Sequence, residues 1–159
     1  MKKMILISLF FTSYFTFSQS TKVNEESEVK ATINKLFEGM YKGDSSLVHS
    51  VFHSSNRLMT CYIDKNGAEQ LAEENLQDFL DAVGSPHEEI WDEKITFTSV
   101  LVDLHLAQVW TEYEFYLDGK FSHCGINAFQ LVKENGNWKI IQLIDTRKRD
   151  NCLNTNETR

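Results

Sequence analysis

The chain has 159 residues, 42% of them hydrophobic, and a formal net charge of −7. This size and composition predict one domain with a sizeable core. Nucleic acid and anionic membrane surfaces repel so acidic a protein, and neither is expected as a partner.

The first 18 residues have the pattern of a secretory signal peptide. A basic start is followed by an apolar run that ends at Phe17, and Ser18 precedes Gln19. The run is shorter than the roughly 20 residues that a membrane-spanning helix needs. We therefore expect cleavage near Ser18-Gln19, a secreted or periplasmic protein, and no membrane attachment after signal removal. An uncleaved N-terminal anchor is the alternative.

The N-terminal half predicts helices. Asn24 is a candidate helix cap, and Gly43 is a candidate end. Between them, apolar residues recur at helical spacing and form one face: Val29, Ile33, Leu36, Phe37 and Met40. Asp44 predicts the cap of a second, short helix. A strand over residues 57–64 and a third helix over residues 74–83 follow.

From Trp91 onward the sequence predicts only strands, over residues 94–102, 106–117, 120–134 and 137–147. Asp118-Gly119 and Asn135-Gly136 separate the last three strands and are strong hairpin signals. The domain is expected over residues 19–150, and a flexible polar tail over residues 151–159.

Two-residue turns fix which residues pair across a hairpin. On this basis Tyr113, Cys124 and Arg147 are expected in one row across three strands, with Asp145 in the next row on the same face. This face is mostly apolar and is expected to meet the helices, so that the four side chains lie at the rim of an apolar cup. A single β-bulge would shift this register by one residue.

The opposite face of the predicted sheet carries many apolar side chains for a surface exposed to water: Trp110, Tyr116, Phe129, Ile140 and Ile144. A large exposed apolar patch is typical of a protein contact. We therefore expect a homodimer formed through this face.

Two stretches, LFEGMYKGDSSLVHSVFH at residues 36–53 and HCGINAFQLVKENGNWKIIQLIDTR at residues 123–147, give the chain a family resemblance. It resembles nuclear transport factor 2-like and SnoaL-like proteins, and most of all their secreted "putative lumazine-binding" branch. The resemblance implies an α+β cone fold, in which N-terminal helices pack on a strongly curved antiparallel β-sheet. It also implies a small organic ligand, whereas fold alone does not select among binding and enzymatic functions.

The expected function is small-molecule binding in the cup without a built-in cofactor. The alternative is a cofactor-free dehydratase, isomerase or hydrolase in which Asp145 is the catalytic base, assisted by Tyr113 or His53. Asp145 and Arg147 are also interpretable as a structural ion pair. Tyr41 and His53 are further candidate ligand contacts. A third possibility is an interaction module whose cup is filled by side chains.

Cysteine and histidine spacing gives weaker signals. Cys124 and Cys152 are the expected disulfide pair, and three free thiols are the alternative. A thiol nucleophile built from His123 and Cys124 is disfavoured because neighbours on a strand point to opposite faces. His49 and His53 have metal-ligand spacing, but no third ligand accompanies them, and no metal site is predicted.

Overall fold

The computed structural model describes residues 13–86, 89–150 and 152. These residues form three helices, α1 (Ser13–Lys42), α2 (Ser45–His49) and α3 (Leu76–Gly84). They also form six strands: β1 (Phe52–Ile63), β2 (Glu69–Glu74), β3 (Trp91–Asp103), β4 (Leu106–Leu117), β5 (Lys120–Glu134) and β6 (Asn137–Arg147). The strands make one sheet in the order β2-β1-β6-β5-β4-β3. The helices pack on this curved sheet, which confirms the α+β cone fold.

Residues 1–12 of the expected signal peptide lie outside the described residues, and residues 13–18 belong to the first turns of α1. The expected cap at Asn24 is wrong because α1 is already helical there; Asn24 Nδ2 instead donates to Glu28 Oε1 at 2.8 Å. Among the described residues, no helix is both long and apolar enough to cross a membrane.

The predicted apolar face of α1 is confirmed, since all five of its residues are at most 9% exposed. Gly43 has a φ of +65°, a conformation in which glycine has no Cβ to clash, and the helix ends before it. The predicted cap of α2 is also confirmed, because Asp44 Oδ1 accepts from the Leu47 amide at 2.9 Å. These two ends fix the turn that brings the chain into β1.

An ion-pair cluster holds α1 over the sheet. Lys133 Nζ on β5 lies 2.7 Å from Glu25 Oε2 and 3.0 Å from Glu28 Oε2. Glu25 Oε2 also accepts from Trp138 Nε1 on β6 at 3.0 Å. The helix therefore covers the concave face in a fixed position.

The sheet is mixed, although the sequence predicted an antiparallel one. β1 runs parallel to β6, while the other neighbouring strands are antiparallel. The sequence also missed β2, whose six residues are all exposed and lack the alternation of a half-buried strand. Because β2 extends to Glu74, α3 begins at Leu76 and not at residue 74 as predicted. The Asn75 side chain caps the helix by accepting from the Gln77 amide at 2.7 Å.

Two β-bulges change the predicted register. Ser122 is an extra residue on β5 opposite β4, and Ile141 is an extra residue on β6 opposite β5. The two shifts cancel between β4 and β6, so Tyr113 and Arg147 still share a face, but β5 is turned over. The concave face carries His123, Gly125, Asn127 and Phe129, of which Phe129 was predicted on the opposite face. The predicted inward position of Cys124 is wrong.

The core lies between the concave face and the helices. Its largest fully buried side chains come from α1 and from the central strands: Ile33, Leu36, Phe129, Leu131 and Ile140. Phe37 on α1 meets Phe129 on β5 edge to face, with ring centroids 6.3 Å apart. Ile140 and Phe129, both predicted on the outer face, are thus part of the core, because of the bulges.

Candidate functional site

A cavity of about 490 Å³ remains between the helices and the wider end of the concave face. Apolar and aromatic side chains form one part of its walls: Leu36, Phe37, Met40, Phe79, Trp91, Phe115 and Leu143. Polar side chains from five strands reach the same cavity: Thr60, Glu93, Tyr113, His123, Asn127, Asp145 and Arg147. An apolar concavity with a few convergent polar groups has the form of a small-molecule site.

Asp145 on β6 lies at the centre of one polar cluster. Its Oδ1 accepts from Thr60 Oγ1 on β1 at 2.5 Å, and its Oδ2 accepts from the Tyr113 hydroxyl at 3.2 Å. The Tyr113 hydroxyl also lies 2.9 Å from the carbonyl oxygen of Thr146, so two acceptors share its one proton. Burial and the charge of Asp145 raise the pKa of Tyr113, and its hydroxyl therefore stays a donor.

Arg147 closes this cluster on the solvent side. Its guanidinium nitrogen is 3.6 Å from Asp145 Oδ2, and its side chain is 54% exposed, compared with 14% for Asp145. The structure thus brings together Tyr113, Asp145 and Arg147, as the sequence predicted. An ion pair this exposed contributes little stability, and Arg147 remains accessible from the cavity mouth.

A second carboxyl group, which sequence reasoning missed, lies further along the same wall. Glu93 on β3 accepts a hydrogen bond from Asn127 Nδ2 at 2.7 Å. The pKa of Glu93 is raised to about 7, chiefly by burial and also by the charge of Asp145, while the Asn127 hydrogen bond and the charge of Arg147 limit the shift. Glu93 retains some accessible surface because it lines the cavity. The group therefore changes its charge near neutral pH.

The sequence did contain a signal for Glu93. Along β3, Ile95 and Phe97 face inward and alternate with Asp92, Lys94 and Thr96 on the outer face. Glu93 continues the inward series, so it is an acidic residue at an apolar position of a strand. The predicted strand began at residue 94, one residue too late to include it.

His123 forms part of the aromatic wall. Its ring lies 4.9 Å from that of Phe115 and 5.8 Å from that of Tyr113, measured between centroids. Burial lowers the pKa of His123 to about 4, and the charges of Arg147 and Arg149 act in the same direction. Its imidazole is therefore neutral at physiological pH and provides both one donor and one acceptor.

Three predicted site residues do not reach the cavity. Cys124 lies on the outer face, where it forms a disulfide with Cys152, so the expected pairing is confirmed but the expected position at the rim of the cup is wrong. Tyr41 is 53% exposed and is not part of the cavity lining. His53 accepts from the Ser55 amide at 2.9 Å and lies 3.6 Å from Glu134, outside the cavity.

The disulfide also anchors Cys152, a residue of the tail that was expected to be flexible. Lys148 continues β6 by pairing with Cys124, and the bond to Cys152 then holds the chain against the outer face. The other residues of the expected tail beyond Asp150 lie outside the described part of the chain. In that part, no group of three or more histidine, cysteine, aspartate or glutamate side chains is arranged to hold a metal ion.

Comparison with known proteins identifies the family to which the chain belongs. Residues 24–143 match the model of the family described as "Putative lumazine-binding". No curated protein matches the sequence.

Several solved structures share the fold. An NTF2-like protein of unknown function from Shewanella baltica OS155 is 17% identical, with a TM-score of 0.60 over 79% of this chain and 95% of that one. An NTF2-like protein of unknown function from Methylobacillus flagellatus KT is 16% identical, with a TM-score of 0.61 over 79% and 94%. A putative scytalone dehydratase from Novosphingobium aromaticivorans DSM 12444 is 11% identical, with a TM-score of 0.62 over 82% and 88%. At these identities the similarity shows the fold alone.

Proposed function

Because the chain belongs to the family described as "Putative lumazine-binding", we propose that its cone binds a small organic molecule, without a resident cofactor. The cavity of about 490 Å³ carries this proposal. Ligand sites in proteins have volumes of roughly 300–1,000 Å³ and combine apolar walls with a few polar groups. An interaction module with a cup filled by side chains would leave no such volume.

The chemistry of the walls favours a flat ring as the ligand. Phe115 packs against Trp91 at 6.3 Å and against His123 at 4.9 Å, so aromatic surfaces line one side of the cavity. Rings stack on such surfaces in offset or edge-to-face arrangements. Lumazine, the compound in the family description, is a neutral flat heterocycle whose shape, rather than its charge, suits these walls.

Native mass spectrometry of protein purified from its source tests binding directly, and we expect a retained small molecule. Ala82→Trp places a large side chain at the cavity and should abolish retention. Ala68→Trp makes the same change in the exposed turn before β2 and should leave retention intact. If the wild type carries nothing, and if a library of aromatic heterocycles also fails to bind, the proposal is wrong.

The Asp145 cluster provides a second test. If Arg147 contacts the ligand, Arg147→Ala should weaken affinity by about ten- to a hundredfold, because it removes a charge-assisted hydrogen bond of roughly 1.5–3 kcal/mol. Asp145→Asn should preserve most of the affinity of a binder. If both changes leave affinity unaltered and lower only the melting temperature, the pair is structural.

The second candidate function is a cofactor-free acid–base enzyme. Its specific support is Glu93, whose pKa of about 7 suits proton transfer near neutral pH. Asp145, the base expected from the sequence, instead has Thr60, Tyr113 and Arg147 as partners. The structural likeness to a protein named a putative scytalone dehydratase is compatible with this class. Once a substrate is identified, Glu93→Gln should lower kcat by at least about 10²-fold. Loss of turnover in Asp145→Asn but not in Glu93→Gln would favour Asp145 as the catalytic base.

Secretion and dimerisation also belong to the proposal. A mature N-terminus near Gln19 is supported by the signal pattern, and the Cys124–Cys152 disulfide suits an oxidising compartment. A homodimer through the outer face is supported by Trp110, which is 44% exposed there. N-terminal sequencing of exported protein tests the first claim, and an intact Met1 in that fraction would contradict it.

A further inference from the structure

Glu93 has no cationic partner in the described part of the chain. Its Oε1 accepts from the Asn127 amide, which is neutral, and no lysine or arginine described there lies within ion-pair distance of it. The nearest cation along the wall, Arg147, is paired with Asp145 at 3.6 Å. An ionised carboxylate that is buried without a counter-charge is costly, so a cation entering the cavity would complete this site.

No other group in the described cavity wall forms an ion pair with Glu93. His123 on β5 is neutral, and Tyr113 on β4 is a protonated donor. Glu74, next to α3, and Glu89, before β3, add carboxyl groups to the wall. The two arginines in the cavity wall are Arg147, which pairs with Asp145 and only partly offsets the burial of Glu93, and Arg149, two residues later in the chain. The Glu93 carboxylate is therefore bonded to Asn127 through Oε1, and its other lone pairs can accept hydrogen bonds from a ligand.

Aromatic faces lie around the same pair. Glu93 pairs across the sheet with Phe115, and Phe115 contacts both Trp91 and His123. Phe37 and Phe79 from the helices line the opposite side of the cavity. Aromatic faces attract cations, and a flat cation with N–H groups satisfies both the ring faces and a carboxylate.

From this geometry we propose that the cavity selects a planar organic cation, of the amidine or amino-heterocycle class, with Glu93 as its counter-ion and Asn127 as the residue that orients Glu93. The inference rests on the proposed binding function and specifies its ligand class. The N–H groups of the ligand donate to Glu93, and the ring lies between the aromatic walls.

Three probes of equal size separate charge from shape: benzamidine is a cation, benzamide is neutral, and benzoate is an anion. We expect ligand-observed NMR titrations at pH 8 to show benzamidine binding at least tenfold more tightly than benzamide, with benzoate weakest. Glu93→Gln should reduce benzamidine affinity to that of benzamide. Glu112→Gln, a matched change on the outer face, should leave the order of affinities unchanged.

The pH dependence identifies the carboxyl group involved. Because Glu93 ionises near pH 7 and benzamidine stays charged, affinity should rise by about tenfold from pH 6 to pH 8. Glu74→Gln should retain this rise, whereas Glu93→Gln should remove it. A rise that disappears in Glu74→Gln assigns the site to Glu74 and overturns the proposal.

Failure of this inference is distinguishable from failure of the binding function. If benzamide or benzoate binds as tightly as benzamidine, or if benzamidine does not bind at millimolar concentration, the cation site is wrong. Retention of a neutral or anionic molecule in native mass spectrometry would preserve the binding function while rejecting its proposed ligand class.

Discussion

Gly125 is the position at which one methyl group should do the most damage to the candidate site. A Cβ at this position would lie 1.7 Å from the carbonyl oxygen of Thr146 and 2.8 Å from Cε1 of Tyr113. The absence of a side chain is therefore what lets the Thr146 carbonyl accept from the Tyr113 hydroxyl at 2.9 Å. Glycine in a strand often marks such a close approach of backbone.

The magnitude of Gly125→Ala follows from two effects. Relief of the clash to the usual minimum of 3.0 Å requires a movement of about 1.3 Å between β5 and β6, and overpacking of this kind costs about 1–3 kcal/mol. Separation of the Tyr113 hydroxyl from its acceptors costs about 1–2 kcal/mol more. We expect the free energy of unfolding to fall by about 2–5 kcal/mol, which lowers the melting temperature by roughly 3 °C per kcal/mol.

Urea unfolding followed by tryptophan fluorescence measures this loss, and Tyr113→Phe isolates its hydrogen-bond component. Gly136→Ala is the control for changing glycine to alanine, since a Cβ there has nothing within 4 Å and only the φ of +79° opposes it. Gly125→Ala should be the most destabilising of the three. If the free energy of unfolding of Gly125→Ala lies within about 0.5 kcal/mol of the wild-type value, the close approach of Gly125 to Thr146 and Tyr113 is wrong.

Three further predictions concern assembly, the tail and the buried carboxyl group. Trp110→Glu should shift the protein toward monomer in light scattering because it places a charge on the exposed apolar face, and a wild type already monomeric at micromolar concentration would contradict this. Cys152→Ser opens a disulfide spanning 28 residues and should lower stability by about 2–4 kcal/mol under oxidising conditions, whereas an unchanged melting temperature would mean that the disulfide does not constrain the fold. Glu93 has a folded-state pKa of about 7, above the ordinary value of 4.5, so the folded state holds its proton more tightly. The ligand-free protein should thus lose up to about 3 kcal/mol of stability between pH 4.5 and pH 7 from this group, and Glu93→Gln should remove that part of the slope in urea titrations at several pH values; an identical slope would show that Glu93 is not buried as described.

The sequence by itself determined the hairpin turns, the apolar face of α1 and its C-terminal end, because the chemistry that specifies them is local. Asp118-Gly119 and Asn135-Gly136 set both turns at the predicted residues, and Gly43 ended α1 as predicted. The inward positions of Tyr113, Asp145 and Arg147 were also predicted, since two opposite register shifts left β4 and β6 aligned.

Only the tertiary structure decided which face of β5 lines the cavity. Bulges at Ser122 and Ile141 accompany the curvature of the whole sheet, and turn residues do not report that curvature. For this reason Cys124 lies on the outer face, and Asn127 lies on the concave face, where it donates a hydrogen bond to Glu93. The parallel pairing of β1 with β6 joins segments that are distant in sequence, so no local pattern predicts it. The pKa of Glu93 on β3 likewise depends on its burial and on Asn127, Asp145 and Arg147 from β5 and β6, which the fold alone brings together.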